Sequence, residues 1–219
     1  MQSQQTAEGY RPFRGRQAGP DRGRPVVRVA DSRDRDAVTD ILVGGLGAKL
    51  LPAFGRSASA AVGAMLDTEF SSQSCNYFVA ILNDHIAGVV HLDVGDPRDS
   101  SLLDDIRRAV GWPVTLRATA VLGALAPPVP TRREGMIEEL AVHPSARRRG
   151  VASALLTRCE AEAVARGRDA LILQVTNDNE GAIALYRRSG FRVRSQRRWM
   201  LRRWLFGSPG ALIMEKSLL

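Results

Sequence analysis

The residues of this chain best suited to chemistry lie in a turn at residues 142–152, between an apolar stretch and a helical pattern, which contains three consecutive arginines followed by a glycine. Gly150 lets the backbone approach a ligand closely, and the small Ala152 leaves the next turn unobstructed. A helix N-terminus presents unpaired N–H groups and about half a positive charge, which suits a diphosphate. The turn lacks the Lys-Ser/Thr of a P-loop, and Gly-x-Gly-x-x-Gly is absent from the chain. The sequence therefore predicts a phosphate-binding turn of another kind.

Two motifs stand in series in the second half of the chain. The first follows a predicted strand that ends Leu140-Ala141-Val142, and it reads Arg147-x-x-Gly150-x-Ala152. The second follows another predicted strand, and it reads Asn179-x-x-Ala182-x-x-Leu185-Tyr186-x-x-x-Gly190-Phe191. Together, over residues 136–193, they resemble the acyl-CoA-binding motifs of the GNAT superfamily of N-acetyltransferases. The order of the predicted elements before and after them also fits that family.

The resemblance implies how an acyl-CoA is held. In this family the fourth and fifth strands are splayed and admit the pantetheine arm, which bonds to main-chain groups like an added strand. Pantetheine is thus expected against Leu140, Ala141, Val142 and, further along, Asn179. The N–H groups of residues 148–153 are expected to hold the pyrophosphate. The implied cofactor-binding residues of the turn and the first helical residues are Arg147, Arg148, Arg149, Gly150, Val151, Ala152 and Ser153.

Tyr186 matches the position that protonates the departing CoA thiolate in the family it resembles. A phenol with a pKa of about 10 can donate to a thiolate whose thiol titrates near about 8.5. The alternative is a core aromatic residue at helical spacing.

An adjacent acidic pair, Glu138 and Glu139, precedes the first motif. A primary amine with a pKa of about 10 is almost entirely charged at neutral pH, so acyl transfer to it is helped by a base. Strand alternation predicts that the two side chains point to opposite faces of the sheet. The pair resembles that of polyamine acetyltransferases, which implies Glu138 as the base and Glu139 as a contact for a cationic substrate.

The acidic pair also has a structural alternative to a catalytic role: the two carboxylates could be solvated, or bound to the nearby Arg132 and Arg133. Ribosomal-protein N-alpha-acetyltransferases carry a glutamate base on the fifth strand, where this chain has Gln174, and a neutral amide cannot accept a proton in that role. The departure weakens a close relationship with those enzymes.

The acceptor site is expected in the first two helices and in the connection between the last two strands. That connection contains three aromatic residues that could line the acceptor site or pack against the helical stretch 99–126: Trp199, Trp204 and Phe206. An arginine cluster on the neighbouring strand is a solvated face or an attraction for an acidic substrate or partner; it comprises Arg192, Arg194, Arg197 and Arg198. His91, on a predicted strand, is expected to be structural, and Cys159 to be a buried thiol.

Apolar periodicity predicts an α/β fold with the element order β-α-α-β-β-(α)-β-α-β-α-β-β. The resemblance implies the GNAT fold, a mixed, mostly antiparallel sheet flanked by helices with the fourth and fifth strands splayed around the acyl-CoA. A helical insertion at 99–130, broken at Gly111-Trp112-Pro113, is expected between the third strand and the fourth. Residues 25–219 are expected to form the acetyltransferase domain that the resemblance implies. Residues 1–24 are expected to be a disordered tail, because their apolar content is too low to order them.

Composition narrows the class of protein. The chain has 219 residues, 44% of them hydrophobic, and a net charge of +8. Of the 31 basic residues only Lys49 and Lys216 are lysines, so the arginine excess is typical of a GC-rich bacterial genome more than of selection for phosphate binding. Two cysteines are too few for a disulfide scaffold. No apolar run approaches the roughly 18 residues of a spanning helix, which favours a cytoplasmic protein.

These patterns predict an N-acetyltransferase that moves an acetyl group from acetyl-CoA to a primary amine of a small molecule or protein, by direct transfer in a ternary complex. No metal is expected, because the histidines show no ligand spacing. A homodimer is expected from the resemblance, and nucleic acid is not an expected partner. The alternative is a non-catalytic acyl-CoA-binding regulator, or a nucleic-acid-associated protein that uses its arginine-rich surfaces.

Overall fold

The computed structural model describes residues 23–71, 75–95, 102–125, 129–198 and 210–219. The helices are α1 Arg35–Phe54, α2 Ala58–Ser71, α3 Leu102–Val110, α4 Trp112–Leu125, α5 Val151–Ala165 and α6 Glu180–Arg188. The strands are β1 Val26–Val29, β2 Tyr77–Leu82, β3 His85–Asp93, β4 Glu134–Val142, β5 Ala170–Thr176, β6 Arg192–Arg198 and β7 Gly210–Ser217. The predicted order of elements is confirmed, including the insertion between β3 and β4.

Local signals explain where the helices begin and break. Asp31 caps a short 3-10 turn ahead of α1, in a capping box with Asp34. Gly111 separates α3 from α4 and has φ of +77°, a left-handed conformation that glycine adopts without steric cost. The predicted break in the insertion is therefore confirmed, and its cause is the glycine.

The seven strands form one sheet in the order β1-β2-β3-β4-β5-β7-β6. The β4–β5 pair is parallel and every other pair is antiparallel. The parallel pair has only four partnered positions, from Glu134–Ala170 to Ile137–Leu173. Beyond them β4 continues to Val142 on β3, and β5 continues to Thr176 on β7. β4 and β5 therefore diverge after Ile137 and Leu173, and a gap opens between their C-terminal ends.

Each face of the sheet buries its own core. One core joins the sheet to α5 and α6 and includes Phe78, Leu155 and Tyr186. The other joins it to α1, α2 and the insertion helices, and includes Val38, Leu66 and Tyr77. We call these the α5 face and the α1 face. Apolar burial on both sides holds β4 rigidly in the middle of the sheet.

A β-bulge on β4 changes which way the acidic pair points. His91 pairs with Glu139 and the next β3 residue, Leu92, pairs with Ile137, so Glu138 is one extra residue on β4. Such a bulge breaks the strict alternation of side chains. The prediction that Glu138 and Glu139 point to opposite faces is therefore wrong: both carboxylates contact a Tyr77–His91 pair on the α1 face.

Candidate functional site

A pocket of about 760 Å³ opens where β4 and β5 separate. Its floor is the end of β4, and its walls come from the turn before α5, the first turn of α5, one face of α6 and a single residue of α1. The lining comprises Gly45, Leu140, Ala141, Val142, Ala146, Arg147, Arg148, Gly150, Val151, Ala152, Ser153, Asn179, Gly181, Ala182, Leu185 and Arg188. The structure thus brings together most of the cofactor-binding residues that the sequence predicts. Arg149 does not line this pocket.

The turn before α5 has the backbone of an anion-binding site. Gly150 is the N-cap of α5 with φ of +81°, and no side chain caps the helix. The N–H groups of the first helical turn are therefore left for another acceptor. Arg148 has φ of +60°, a conformation that is uncommon for a residue other than glycine and that clusters at functional sites. The backbone of this turn is therefore suited to bind an anion, although its own conformation is not the most stable one.

Asn179 faces the turn from the other wall of the pocket. It is the N-cap of α6, and its side-chain oxygen accepts a hydrogen bond from the Ala182 N–H at 3.1 Å. The cap holds the side chain at the pocket wall and leaves the amide N–H groups free to donate to a ligand.

Gly45 of α1 closes the pocket from the α1 face. A Cβ at this position would lie 2.8 Å from the Cβ of Ala141, closer than two such atoms approach in proteins. The missing side chain is what allows α1 to lie directly on β4. Gly45 is not among the site residues predicted from the sequence, although two adjacent glycines inside a predicted helix indicate close packing of that helix.

The matched pair Gly44 and Gly45 gives a test of this contact. We expect Gly45→Ala to lower the free energy of unfolding by about 1–3 kcal/mol through overpacking against Ala141. Gly44→Ala meets no atom within 4 Å and is expected to stabilise the helix by about 0.5–1 kcal/mol. Urea unfolding of both variants measures the difference, and equal stabilisation by both would show that α1 does not press on β4.

The α1 face carries a polar cluster made of the buried Tyr77 and His91 and the half-buried Glu138 and Glu139. The Tyr77 hydroxyl donates to Glu139 Oε2 at 2.9 Å, and His91 Nδ1 lies 3.2 Å from Glu138 Oε2. The two rings are cross-strand neighbours and stack with their centroids 4.4 Å apart. The carboxylates are not a solvated pair, and Arg133 instead forms an ion pair with Asp169. His91 is structural as predicted, but it also holds the candidate base.

The pKa values in this cluster follow from burial and from acidic neighbours. Burial lowers the pKa of His91, but the hydrogen bond that its ring donates to Glu138 and the negative charges of Glu139, Glu138 and Glu69 more than offset this effect, so that the pKa is raised. Burial and the nearby Glu139 raise the pKa of Tyr77 well above its ordinary value. Tyr77 therefore stays a protonated donor, and His91 gains a proton more readily than an ordinary imidazole.

The raised pKa of His91 predicts a pH-dependent stability. A group with a pKa raised by folding stabilises the native state below its unfolded pKa, ordinarily 6.5, and this contribution is lost as the pH rises through the native pKa. The groups that face it are Tyr77, Glu69, Glu138 and Glu139. We expect the unfolding free energy of the wild type to fall above pH 6.5 relative to that of His91→Gln, in urea titrations between pH 6 and 9. Parallel curves for the two proteins would contradict this.

Tyr186 lies in the core of the α5 face and does not line the pocket, although its neighbour Leu185 does. It is 8% exposed, and its ring packs edge-on against Phe191 at 5.9 Å. Burial raises the pKa of the phenol to about 12. No hydrogen bond to its hydroxyl is found among the described residues. Both readings of Tyr186, core aromatic and proton donor, are compatible with this position.

Other expectations have simpler outcomes. Cys159 is fully buried and burial raises its pKa to about 12, so it is an inert core thiol. In the described part of the chain no group of His, Cys, Asp and Glu could hold a metal ion.

Trp199, Trp204 and Phe206 lie outside the described residues. Arg192 and Arg197 are exposed on β6, the strand at the sheet edge, and Arg198 is the last residue of that strand. Arg194 forms an ion pair with Glu134.

The described helices were compared with the length and apolar content that a bilayer requires. No single described helix has the length and apolar content needed to cross a bilayer. The pair Ser32–Gly47 and Leu50–Ser71, bent by 100°, satisfies the criterion on length and composition only.

Comparisons with known proteins agree with this geometry. A family model described as "Acetyltransferase (GNAT) family" matches residues 47–191, which is 145 of the 219 residues. The histone acetyltransferase HPA2 and related acetyltransferase from Corynebacterium glutamicum is 25% identical, with a TM-score of 0.60 over 89% of this chain and 96% of its own. The ribosomal-protein-S18-alanine N-acetyltransferase from Escherichia coli is 20% identical, with a TM-score of 0.52 over 89% and 94%. A GNAT-family acetyltransferase from Streptococcus pneumoniae is 21% identical, with a TM-score of 0.54 over 88% and 98%.

Proposed function

Because the chain belongs to the GNAT acetyltransferase family, and is thus an acyltransferase, we propose that it moves an acetyl group from acetyl-CoA to a primary amine. The observation that carries the proposal is the pocket at the gap between β4 and β5, with the uncapped N-terminus of α5 at its rim. A gap in a sheet accepts an extended amide-bearing arm, and a helix N-terminus accepts a phosphate. Acetyl-CoA carries both groups.

The end of β4 holds the pantetheine arm in this proposal. Leu140, Ala141 and Val142 line the pocket and lie beyond the last position that pairs with β5. Their main-chain groups on that side are thus available to the pantetheine amides, with Asn179 opposite. The N–H groups at Val151, Ala152 and Ser153 receive the diphosphate, and the neighbouring arginines neutralise its charge.

The reaction runs as one direct transfer in the ternary complex. Glu138 takes a proton from the acceptor ammonium, and the neutral amine attacks the thioester carbonyl. A new C–N bond forms through a tetrahedral intermediate whose oxyanion is stabilised by the backbone N–H near Leu140, and the C–S bond then breaks. Tyr186 donates a proton to the departing CoA thiolate, and the second proton of the attacking nitrogen restores the phenol. The products are the N-acetylated amine and CoA, and Glu138 releases its proton to solvent.

The acidic cluster supports an amine as the acceptor. The chain has a net charge of +8, yet the charges that act on His91 all come from carboxylates. An ammonium group approaching the end of β4 from the α1 face is therefore attracted locally, in spite of the basic surface. We assign Glu139, which Tyr77 holds by a hydrogen bond, to contact with this cation.

The cell compartment and assembly state belong to the same proposal. Cys75 and Cys159 are both free thiols, which is the ordinary state of cysteines in a reducing cytoplasm. We accordingly propose a cytoplasmic, bacterial enzyme, and we expect a homodimer from the resemblance to the family.

Calorimetric titration with acetyl-CoA, followed by a panel of primary amines assayed for release of the CoA thiol, tests the proposed function. We expect micromolar binding by the wild-type protein. Gly150→Val should weaken it at least tenfold, because a β-branched residue resists φ of +81° and would shift the turn. Binding without thiol release for any amine would favour a non-catalytic regulator. An absence of binding at low salt would refute the proposed transfer from acetyl-CoA and direct attention to nucleic acid on the arginine-rich surface.

A further inference from the structure

The imidazole of His91 is held in one plane by its neighbours. His91 on β3 and Tyr77 on β2 are cross-strand partners and are both buried. Their rings stack with the centroids 4.4 Å apart and an angle of 21° between the planes. The Tyr77 ring is itself packed edge-on against Phe70 of α2, at 6.2 Å. Because Tyr77 is fixed in this way, its face also fixes the direction in which Nδ1 of His91 points.

The bulge on β4 brings Glu138 within reach of that nitrogen. Glu138 is the extra residue at the step from His91 to Leu92, and its Oε2 lies 3.2 Å from Nδ1 of His91. The side chain of Glu138 is 25% exposed, whereas that of His91 is 9% exposed. The carboxylate thus connects a buried ring to a surface that solvent reaches, which is the position required of a base whose acceptor arrives from solution.

Stability alone gives a poor account of this pair. A buried imidazole and a partly buried carboxylate both lose hydration on folding, and replacing such a pair by apolar side chains is often neutral or stabilising. The charges that act on His91 come from Glu69 on α2 and from Glu138 and Glu139 on β4. Surrounded by acceptors, the ring is favoured as a donor toward Glu138. Its effect on the carboxylate is therefore the more informative part of the contact.

We propose that His91 is a positioning residue for acyl transfer, whose Nδ1–H holds the Glu138 carboxylate in the orientation that takes the proton from the acceptor ammonium. This inference rests on the proposed function, and it adds a residue of β3 that neither motif contains. His91 acts through Glu138 and does not touch the acceptor. A displacement of about 1 Å at a reacting group costs about 100-fold in rate, so loss of this hold should appear in turnover.

Two substitutions of similar shape separate positioning from packing. His91→Leu removes the donor, whereas His91→Asn keeps an amide N–H near the place of Nδ1. With the best amine of the panel, we expect His91→Leu to lower kcat about 10- to 100-fold and to leave the dissociation constant of acetyl-CoA within about twofold. His91→Asn should restore kcat to within about threefold of the wild type.

Val79→Ala is the packing control. Val79 lies two residues after Tyr77 on the same face of β2, is fully buried in the same core and has no polar side-chain atom. We expect this variant to lower the midpoint of urea unfolding and to leave kcat within about twofold of the wild type.

A second readout does not depend on the acceptor. The chain has three histidines, so proton–nitrogen correlation spectra of the imidazole rings can be assigned to His91 with the His91→Asn variant. We expect Nδ1 of His91 to carry a proton in the wild type, and its signal to shift in Glu138→Gln more than in Val79→Ala.

Several results would overturn the assignment of His91. They are wild-type turnover by His91→Leu, turnover by His91→Asn as slow as that of His91→Leu, and a neutral ring protonated on Nε2 alone. Turnover by Val79→Ala as slow as that of His91→Leu would assign the loss to packing and overturn it as well. If the wild type releases no thiol with any amine, the proposed function fails and the inference fails with it, whereas an active wild type with an equally active His91→Leu refutes the inference alone.

Discussion

Tyr186→Phe is expected to lower the turnover number about 100-fold or more, and to leave the dissociation constant of acetyl-CoA within about twofold. The substitution removes one hydroxyl and keeps the ring that packs against Phe191. General acid catalysis contributes about 10²–10⁴-fold to rates, so loss of the donor should appear in the rate and not in binding. With its pKa raised to about 12 by burial, the phenol remains protonated across the pH range of the assay. The same burial also makes an adjacent thiolate a stronger base.

Steady-state kinetics with the best amine of the panel, together with calorimetry, measures this prediction. Leu185→Met is a suitable control, since it alters a neighbouring pocket side chain and leaves the hydroxyl in place. If Tyr186→Phe changes only the thermal stability and turns over like the wild type, Tyr186 is a core residue and the thiolate leaves without its help.

Glu138→Gln should reduce kcat/KM about 10²–10⁴-fold at neutral pH and shift the pH–rate profile toward higher pH. Without the carboxylate, the acceptor must arrive already deprotonated, and the fraction of neutral amine rises only as the pH approaches its pKa of about 10. The amide of glutamine fills the same volume beside His91, so the bulge on β4 is expected to persist.

Glu139→Gln is the matched control, because the two carboxylates are adjacent, lie on the same face and differ only in partner. Its amide oxygen can still accept the hydrogen bond from Tyr77, so we expect a higher KM for a cationic amine with an unshifted pH profile. If the two variants exchange these behaviours, Glu139 is the base. If neither changes the profile, water takes the proton without a carboxylate.

The helices, the strands and the turn that leads into α5 could be predicted because their signals are local. A 3.6-residue period, capping residues and a glycine at a left-handed position act within a few residues of chain. The turn within residues 142–152 and the break at Gly111 therefore lie where the sequence predicts them. The arrangement of the strands in the sheet, including the splayed pair, was predicted from the resemblance to the family and not from a local pattern.

The features that were missed depend on contacts between elements distant in sequence. The bulge at Glu138 exists only in the register between β3 and β4, and strand alternation within β4 cannot reveal it. The partners of the acidic pair, Tyr77 and His91, come from two other strands. Gly45 and Arg188 join the pocket because of how α1 and α6 are oriented on the sheet, and this orientation is set by both cores together.

The short parallel ladder between β4 and β5 would give the proposed co-substrate a mechanical role. The sheet consists of a four-stranded part, β1 to β4, and a three-stranded part, β5 to β7, joined by four partnered positions. A pantetheine arm bound in the gap as proposed would connect the two parts, so we expect ligand binding to increase the cooperativity of unfolding. At 100 times its dissociation constant a ligand stabilises a native state by about 2.7 kcal/mol. Amide protons of β4 and β5 beyond the ladder should then exchange with deuterium more slowly, as the two halves of the sheet open together instead of one by one.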